Sequence, residues 1–349
     1  LVGLGVFGLV YRPWFSRVLS VVLIVAALLG MGLQVNRLYG MTNTPALIFG
    51  IDTTPGIHLP RVLSAARRDK VTLHNWKPPA GMPKYGKVGQ LEGADAIPTS
   101  KPYSPRNASV YLPPAALVAH PPRLPVVVAM MGQPGTPSPA RVASAGNAYA
   151  RAHHGLAPIV VVVDQLAGDP GNDPICMDSS RYGAVSTYVN HDVVEYISSH
   201  FNVLEDRRDW AIAGYSNGGS CAWQWGTQFP QQWGAVLDVS GNQFPGSEHQ
   251  AEVINQLWGG NRAAYESWLP PAQLRRNAGA YAGHLASFTW GEKDHRYGPE
   301  ARINLAAARA AGFDVRQHQI AGAGHIGDAA RAGFALVFAD FGDVTGLGR

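Results

Sequence analysis

The pentapeptide Gly214-Tyr215-Ser216-Asn217-Gly218, followed by Gly219, carries the strongest chemical signal in the chain. It comes after the short apolar run DWAIAG and opens the stretch SCAWQWGTQF, so it reads as a strand turning abruptly into a helix. That turn is the context of a nucleophile elbow. It strains the central residue and pushes the Ser216 hydroxyl out over the sheet's carboxyl edge. Side chains two positions before or after would collide with the turn, which explains glycine at 214 and 218. The Asn217 N–H falls at a helix start, where the positive end of the dipole favours a developing oxyanion. A G-x-S-x-G taken alone also fits an ordinary glycine turn bearing an exposed serine. The strand before, the helix after and the partners downstream favour catalysis.

A serine hydroxyl needs an imidazole to take its proton. For a serine on such an elbow the partners follow in the order acid, then histidine. After the apolar run ASFTW comes Gly291-Glu292-Lys293-Asp294, which makes Asp294 the expected acid and Glu292 its competitor. Asp294 also fits a plain turn former. The strand VRQHQI then leads to Gly322-Ala323-Gly324-His325, and a histidine in this Gly-rich loop is placed to reach back to the elbow. His325 is the expected base, held in one tautomer by Asp294. His284, His295 and His318 are alternatives; His318 lies within a strand and reads as a packing residue, and His295 as lining the mouth. A second oxyanion donor is expected from the loop after PVVVAMM, at Gln133, with Gly132 permitting close approach. The plain alternative there is a Pro-Gly turn.

Cys176, in the loop DPICMDSS, and Cys221, one turn into the nucleophile helix, are candidates for a disulfide pinning that loop beside the elbow. Two buried thiols are the alternative. Two cysteines with no His or Cys cluster at ligand spacing suggest no metal site, and no phosphate-binding glycine loop is present, so no cofactor is expected.

The elements that must position these residues begin at about Ala108. Short β-rich runs (Ser109 to Leu112, Leu124 to Met131, Ala157 to Asp164, Trp210 to Gly214, Ala235 to Val239, Ala286 to Trp290, Val315 to Ile320) alternate with helix-like stretches. The clearest of the latter are Ala184 to His200, Ser220 to Phe229 and Pro299 to Ala311. PVVVAMM and PIVVVV are continuously apolar, as strands covered on both faces are. Strand and helix alternating in this way predict an α/β fold with a mainly parallel sheet and helices on both sides.

Upstream, Val18 to Val35 is uncharged and flanked by Arg17 and Arg37, long enough to span a bilayer core. The apolar run Leu1 to Tyr11 reads as the end of an earlier spanning helix, joined by a basic turn carrying Arg12 and Arg17. The division expected is 1–37 transmembrane, 38–107 linker and membrane-proximal region, and 108–349 catalytic domain. Basic short loops prefer the cytoplasm, which sends the rest of the chain outward. A cleaved signal or a buried core helix would be the alternative. Five of six Lys fall between Lys70 and Lys101, consistent with a solvated connector. The first residue is Leu, so the chain is expected to begin inside a longer reading frame.

Across 349 residues, 46% apolar and 15% charged side chains exclude a disordered chain. A net charge of +4, mostly scattered Arg, argues little for nucleic acid and suits a membrane-facing protein.

From about Ala108 to Phe341 the chain resembles the α/β-hydrolase superfamily, through GYSNGG, FPQQWGAVLDVSG, LWGGNRAAYESW, WGEKDH and GAGH in that order. More narrowly it resembles the esterase branch that includes esterase D and the secreted mycolyltransferases of actinobacteria. The resemblance implies Ser216, Asp294 and His325 as a triad, with backbone N–H groups of Asn217 and Gln133 as the oxyanion hole. The expected function is a membrane-anchored, extracytoplasmic serine esterase acting on lipid or cell-envelope esters, with aminoacyl-phosphatidylglycerol one candidate. Its expected partners are the ester substrate and the membrane, not nucleic acid. Residues 242–283, rich in Trp and Pro, would form a cap. Acyl transfer to a sugar or glycerol hydroxyl is the alternative, and a non-catalytic envelope-binding module a further one.

Overall fold

A computed structural model describes residues 14–39, 54–57 and 72–347. The chain divides into two compact units, Leu1–Thr53 and Thr54–Arg349.

The first unit contains helix α1 (Trp14–Tyr39). Its stretch Trp14–Gly32 is, among the described residues, the one helix long and apolar enough to cross a membrane. Leu19, Val22, Leu28 and Leu29 are exposed along it. Arg17, expected in the basic turn, lies in the first turn of α1, which already begins at Trp14, and Arg12 lies outside the described residues. The earlier run Leu1 to Tyr11 lies outside the described residues.

The second unit is built on one eight-stranded sheet, ordered β1-β2-β4-β3-β5-β6-β7-β8. Strands β3 (Val126–Met130), β4 (Ile159–Val163), β5 (Trp210–Tyr215), β6 (Ala235–Val239), β7 (Leu285–Gly291) and β8 (Asp314–Ile320) are mutually parallel. β2 (Ser109–Leu112) pairs antiparallel with both β4 and β1 (Lys87–Gln90). The sheet therefore begins upstream of the start expected at residue 108. The stretch 38–107 is not only connector: it supplies β1, and Gly56 bridges to Gln90. One apolar residue in KVGQ was too little pattern to reveal a strand, and pairing to β2 supplies the rest.

The continuous apolar runs follow from burial on both faces. Val126, Val128 and Met130 point into one cluster, with Trp223 and Trp225 of helix α4 (Asn217–Gln228) and Leu305 of α8 (Tyr297–Ala311). Val127 and Ala129 point into the other, with Val142 and Ala145 of α2 (Ala140–Ala152) and Phe334, Phe338 and Phe341 of α9 (Asp328–Thr345). A helical run ending in α3 (Val193–His200) adds Val193 and Ile197 to the first cluster. Between β6 and β7 lie three short helices, α5 (Gln250–Trp258), α6 (Arg262–Trp268) and α7 (Pro270–Arg276). Val253, Ile254, Tyr265 and Leu269 of this insertion form a small core of their own with Ile175. Because β3 to β8 run the same way, the loops leaving all six open at one edge of the sheet.

Candidate active site

The elbow follows from β5 ending directly against α4. Ser216 has φ 54° and ψ −120°, a left-handed backbone that costs a side-chain-bearing residue about 1–3 kcal/mol and persists only where surroundings enforce it. Its N–H donates to the Val239 carbonyl of β6 at 2.9 Å, fixing the turn. A Cβ at Gly214 would collide with the Gly218 carbonyl, and one at Gly218 would lie 2.6 Å from the Met130 oxygen of β3. Both glycines are therefore steric requirements of the turn.

The structure brings together the three side chains expected from the sequence. The Ser216 hydroxyl lies 2.9 Å from His325 Nε2, and His325 Nδ1 lies 2.9 Å from Asp294 Oδ2. Asp294 is buried, whereas the His325 side chain keeps 21% exposure, enough to meet a substrate from solvent. The second Asp294 oxygen accepts the Tyr297 N–H at 2.9 Å. Burial pushes the Asp294 carboxyl up, but the hydrogen bonds from His325 and the Tyr297 N–H, with the nearby imidazole charge, outweigh it. The net effect holds the group below its ordinary range.

Two tyrosine rings lie against the imidazole. Tyr215 donates its hydroxyl to the His325 carbonyl at 2.8 Å, and its ring stacks on the imidazole at 5.5 Å between centroids. Burial pushes the Tyr215 hydroxyl up to about 12, against the Arg141 charge, so it stays a donor. The Tyr297 ring lies 4.1 Å from the imidazole between centroids, tilted by 37°, and its hydroxyl donates to Glu248 of the insertion at 2.7 Å.

The competing residues lie elsewhere. Glu292 is exposed and accepts the Gly322 N–H at 2.7 Å. His284 is buried with Nε2 2.8 Å from the Pro230 carbonyl, and His295 is exposed. His318 is not simply packed: β8 is an edge strand, and the ring, 30% exposed, sits 2.8 Å from Asp340.

The loop after β3 passes against the elbow, since a Cβ at Gly132 would lie 3.2 Å from Ser216 Cβ. Gln133 precedes a cis peptide to Pro134, and its side-chain amide donates to the Gly171 and Asn172 carbonyls at 3.1 and 2.8 Å. Asn217 is the first residue of α4, so its N–H has no carbonyl acceptor within the helix. Cys176 and Cys221 are disulfide-bonded, with Cα atoms 5.3 Å apart, stapling the loop after β4 to α4.

That loop holds residues sequence reasoning missed. Asp164 forks onto Arg106 at 2.5 and 3.0 Å, while Arg106 Nη1 donates to the Gly135 carbonyl at 2.7 Å. Gln165 donates to the Met131 carbonyl and to Asn217 Oδ1, and Asn217 Nδ2 donates to Asp173 at 3.1 Å. The only sequence signal was a pair of polar residues, Asp164 and Gln165, directly after an apolar strand. Tyr297 and Tyr215 were missed as well, because their roles depend on which ring lies beside the imidazole.

An elbow serine bonded to a histidine, itself bonded to a buried carboxylate, is the geometry that acyl transfer from an ester needs. The family model described as "Putative esterase" matches residues 99–328. The chain is 32% identical over 306 residues to an uncharacterized protein of Corynebacterium glutamicum, covering 84% of this chain and 69% of that one. Its fold is similar to an S-formylglutathione hydrolase from Agrobacterium tumefaciens (TM-score 0.58, 17% identity, 76% of this chain and 97% of that one). It is also similar to a ferulic acid esterase (TM-score 0.54, 18% identity, 74% and 99%). A third similar fold is the Staphylococcus aureus fluorophosphonate-binding serine hydrolase F (TM-score 0.53, 15% identity, 76% and 99%). At these identities the solved structures establish the α/β-hydrolase-like fold, and the family match establishes the class. The chain belongs to this esterase family and is a hydrolase of carboxylic esters.

Proposed function

We propose that Ser216 is the nucleophile, His325 the general base and Asp294 the residue that orients and stabilises the imidazolium. The observation carrying this reading is the pair of 2.9 Å hydrogen bonds joining the three side chains on a strained elbow. Ser216 Oγ attacks the ester carbonyl while its proton passes to His325 Nε2. The resulting oxyanion accepts the N–H groups of Asn217 and Gln133. Collapse breaks the C–O bond, and the leaving alkoxide takes the proton from His325. Water, deprotonated in turn by His325, then releases the acid from the acyl-enzyme.

The substrate belongs to the lipid or cell-envelope esters in this reading, with the unit from Thr54 onward lying outside the cytoplasm and tethered by α1. Two observations support it: α1 exposes apolar side chains that water disfavours, and a disulfide persists in oxidising compartments. The insertion 242–283 would act as the cap that selects the substrate, being tied to the Asp294 loop through Glu248 and Tyr297. Ser216→Ala should abolish turnover of a short p-nitrophenyl ester by membranes carrying the protein. Retained turnover refutes the mechanism, and recovery of the wild-type chain from the soluble fraction refutes the tether.

A further inference from the structure

Gln165 lies two residues beyond β4 and is 3% exposed. Its side-chain amide has two N–H bonds and uses both, one to the Met131 carbonyl at 2.6 Å and one to Asn217 Oδ1 at 3.1 Å. Rotating the amide would set its oxygen against the Met131 carbonyl, so only one orientation satisfies the site. Asn217 is oriented in the same way. With Oδ1 accepting from Gln165, its Nδ2 donates to Asp173 Oδ1 at 3.1 Å, and Asp173 also accepts the Ile175 N–H and contacts His249 of the cap insertion.

Met131 immediately precedes Gly132-Gln133, and Asn217 immediately follows Ser216. One buried amide therefore joins the two segments assigned above as oxyanion donors, which come from different strands. We infer that Gln165 is a positioning residue that sets the spacing between the Gln133 and Asn217 N–H groups, with Asp173 holding the far end of the relay through Asn217. The inference rests on the reading of Ser216 as nucleophile and of those two N–H groups as donors.

The physical reason is the narrow range over which such donors act. Each must lie about 2.7–3.1 Å from the oxyanion, and a misplacement of about 1 Å can cost on the order of a hundredfold in rate. The other end of the β3 loop is already anchored, through the Gln133 side chain to Gly171 and Asn172 and through Gly135 to Arg106. Without Gln165 the Met131 carbonyl would lose its donor and the near end would be free to drift from α4.

The test is Gln165→Leu, which keeps similar bulk and removes both N–H bonds, in the full-length membrane-bound chain with a p-nitrophenyl ester. The expected result is a fall in kcat of about ten- to a hundredfold with KM changed less than about threefold. The affinity for a trifluoromethyl ketone, which forms a tetrahedral adduct on the serine, should fall in parallel with kcat/KM. A merely structural role would lower the active fraction, titrated with a fluorophosphonate, and leave kcat per labelled site unchanged; that outcome overturns the inference. Should Gln165→Leu fail to fold, Asp173→Leu removes the acceptor at the other end. There a drop in kcat per labelled site at constant KM supports the relay, and an unchanged value overturns it. If Ser216→Ala retains turnover, the triad reading itself falls. If Ser216→Ala is inactive while Gln165→Leu turns over at the wild-type rate, only this inference falls.

Discussion

Asp294→Asn is the sharpest perturbation of the proposed triad, because the two side chains have the same shape and differ in charge and in one donor. In the structure Asp294 Oδ1 accepts the Tyr297 N–H at 2.9 Å and Oδ2 faces His325 Nδ1 at 2.9 Å. An asparagine here keeps its oxygen on the Tyr297 N–H, which leaves its NH2 facing Nδ1. Nδ1 must then accept, so the imidazole carries its proton on Nε2 and points it at the Ser216 hydroxyl, where it cannot act as base. The negative charge that stabilises the imidazolium in the transition state is lost as well. Charges about 4 Å apart interact by about 4 kcal/mol at an effective dielectric of about 20, and burial of Asp294 limits screening. About 4 kcal/mol corresponds to a fall of about three decades in kcat. KM should move less than about threefold, since the carboxylate lies behind the imidazole. Steady-state hydrolysis of a p-nitrophenyl ester, normalised to fluorophosphonate-titrated sites, measures both. Glu292→Gln is the control and should alter kcat less than about twofold, its carboxylate being engaged with the Gly322 N–H. If Asp294→Asn stays within about threefold of wild type, or if Glu292→Gln carries the loss, the assignment of the acid is wrong.

Two stability predictions follow from the same edge of the sheet. Replacing Cys176 and Cys221 together by serine opens a loop of 45-residue separation, which chain entropy puts at about 4 kcal/mol; denaturant unfolding of the full chain should show most of that loss, and an unchanged midpoint would deny the staple its role. Asp238, wholly buried beneath the elbow, is pushed from 3.8 up to about 7 by burial and the Glu300 charge, against the Gly241 N–H. The folded state therefore holds a proton that the unfolded chain has lost, so stability declines as pH rises from about 4 to 7 and levels off above. Asp238→Asn should flatten that decline and raise Tm at pH 8 while leaving Tm at pH 4 nearly unchanged; parallel curves for the two proteins would show that Asp238 is ionised in both states.

Most of the central sheet was legible because its strands are buried on both faces and the apolar runs announce themselves. Val126–Met130 and Ile159–Val163 fall within the runs expected. The elements that escaped notice have a physical reason for it. Lys87–Gln90 sits at the sheet edge with mixed exposure, and so carries little hydrophobic pattern. Ala140–Ala152 is built largely from Ala and Gly, so its buried face carries one large apolar side chain, Val142, among Ala143, Ala145, Gly146 and Ala150. His318 looked like a core residue because the neighbouring pattern is that of a strand; only the sheet order reveals that this strand has one free edge.

Local chemistry by itself determined part of the elbow, since a Cβ at 214 would collide with the Gly218 carbonyl four residues on, whereas the collision at 218 is with the Met130 oxygen of β3. It also determined the order in which acid and base follow. Tertiary structure alone decided that the hydroxyl and imidazole, 109 residues apart, meet at 2.9 Å, and that Asp294 rather than Glu292 faces the ring. It likewise decided which residues brace the site, from Gln165 and Asp173 to Tyr215 and Tyr297. A hydrogen bond is good over only a few tenths of an ångström, and no spacing along a chain specifies distance that finely. Loops from separate parallel strands acquire such positions when the sheet beneath them is packed from both faces.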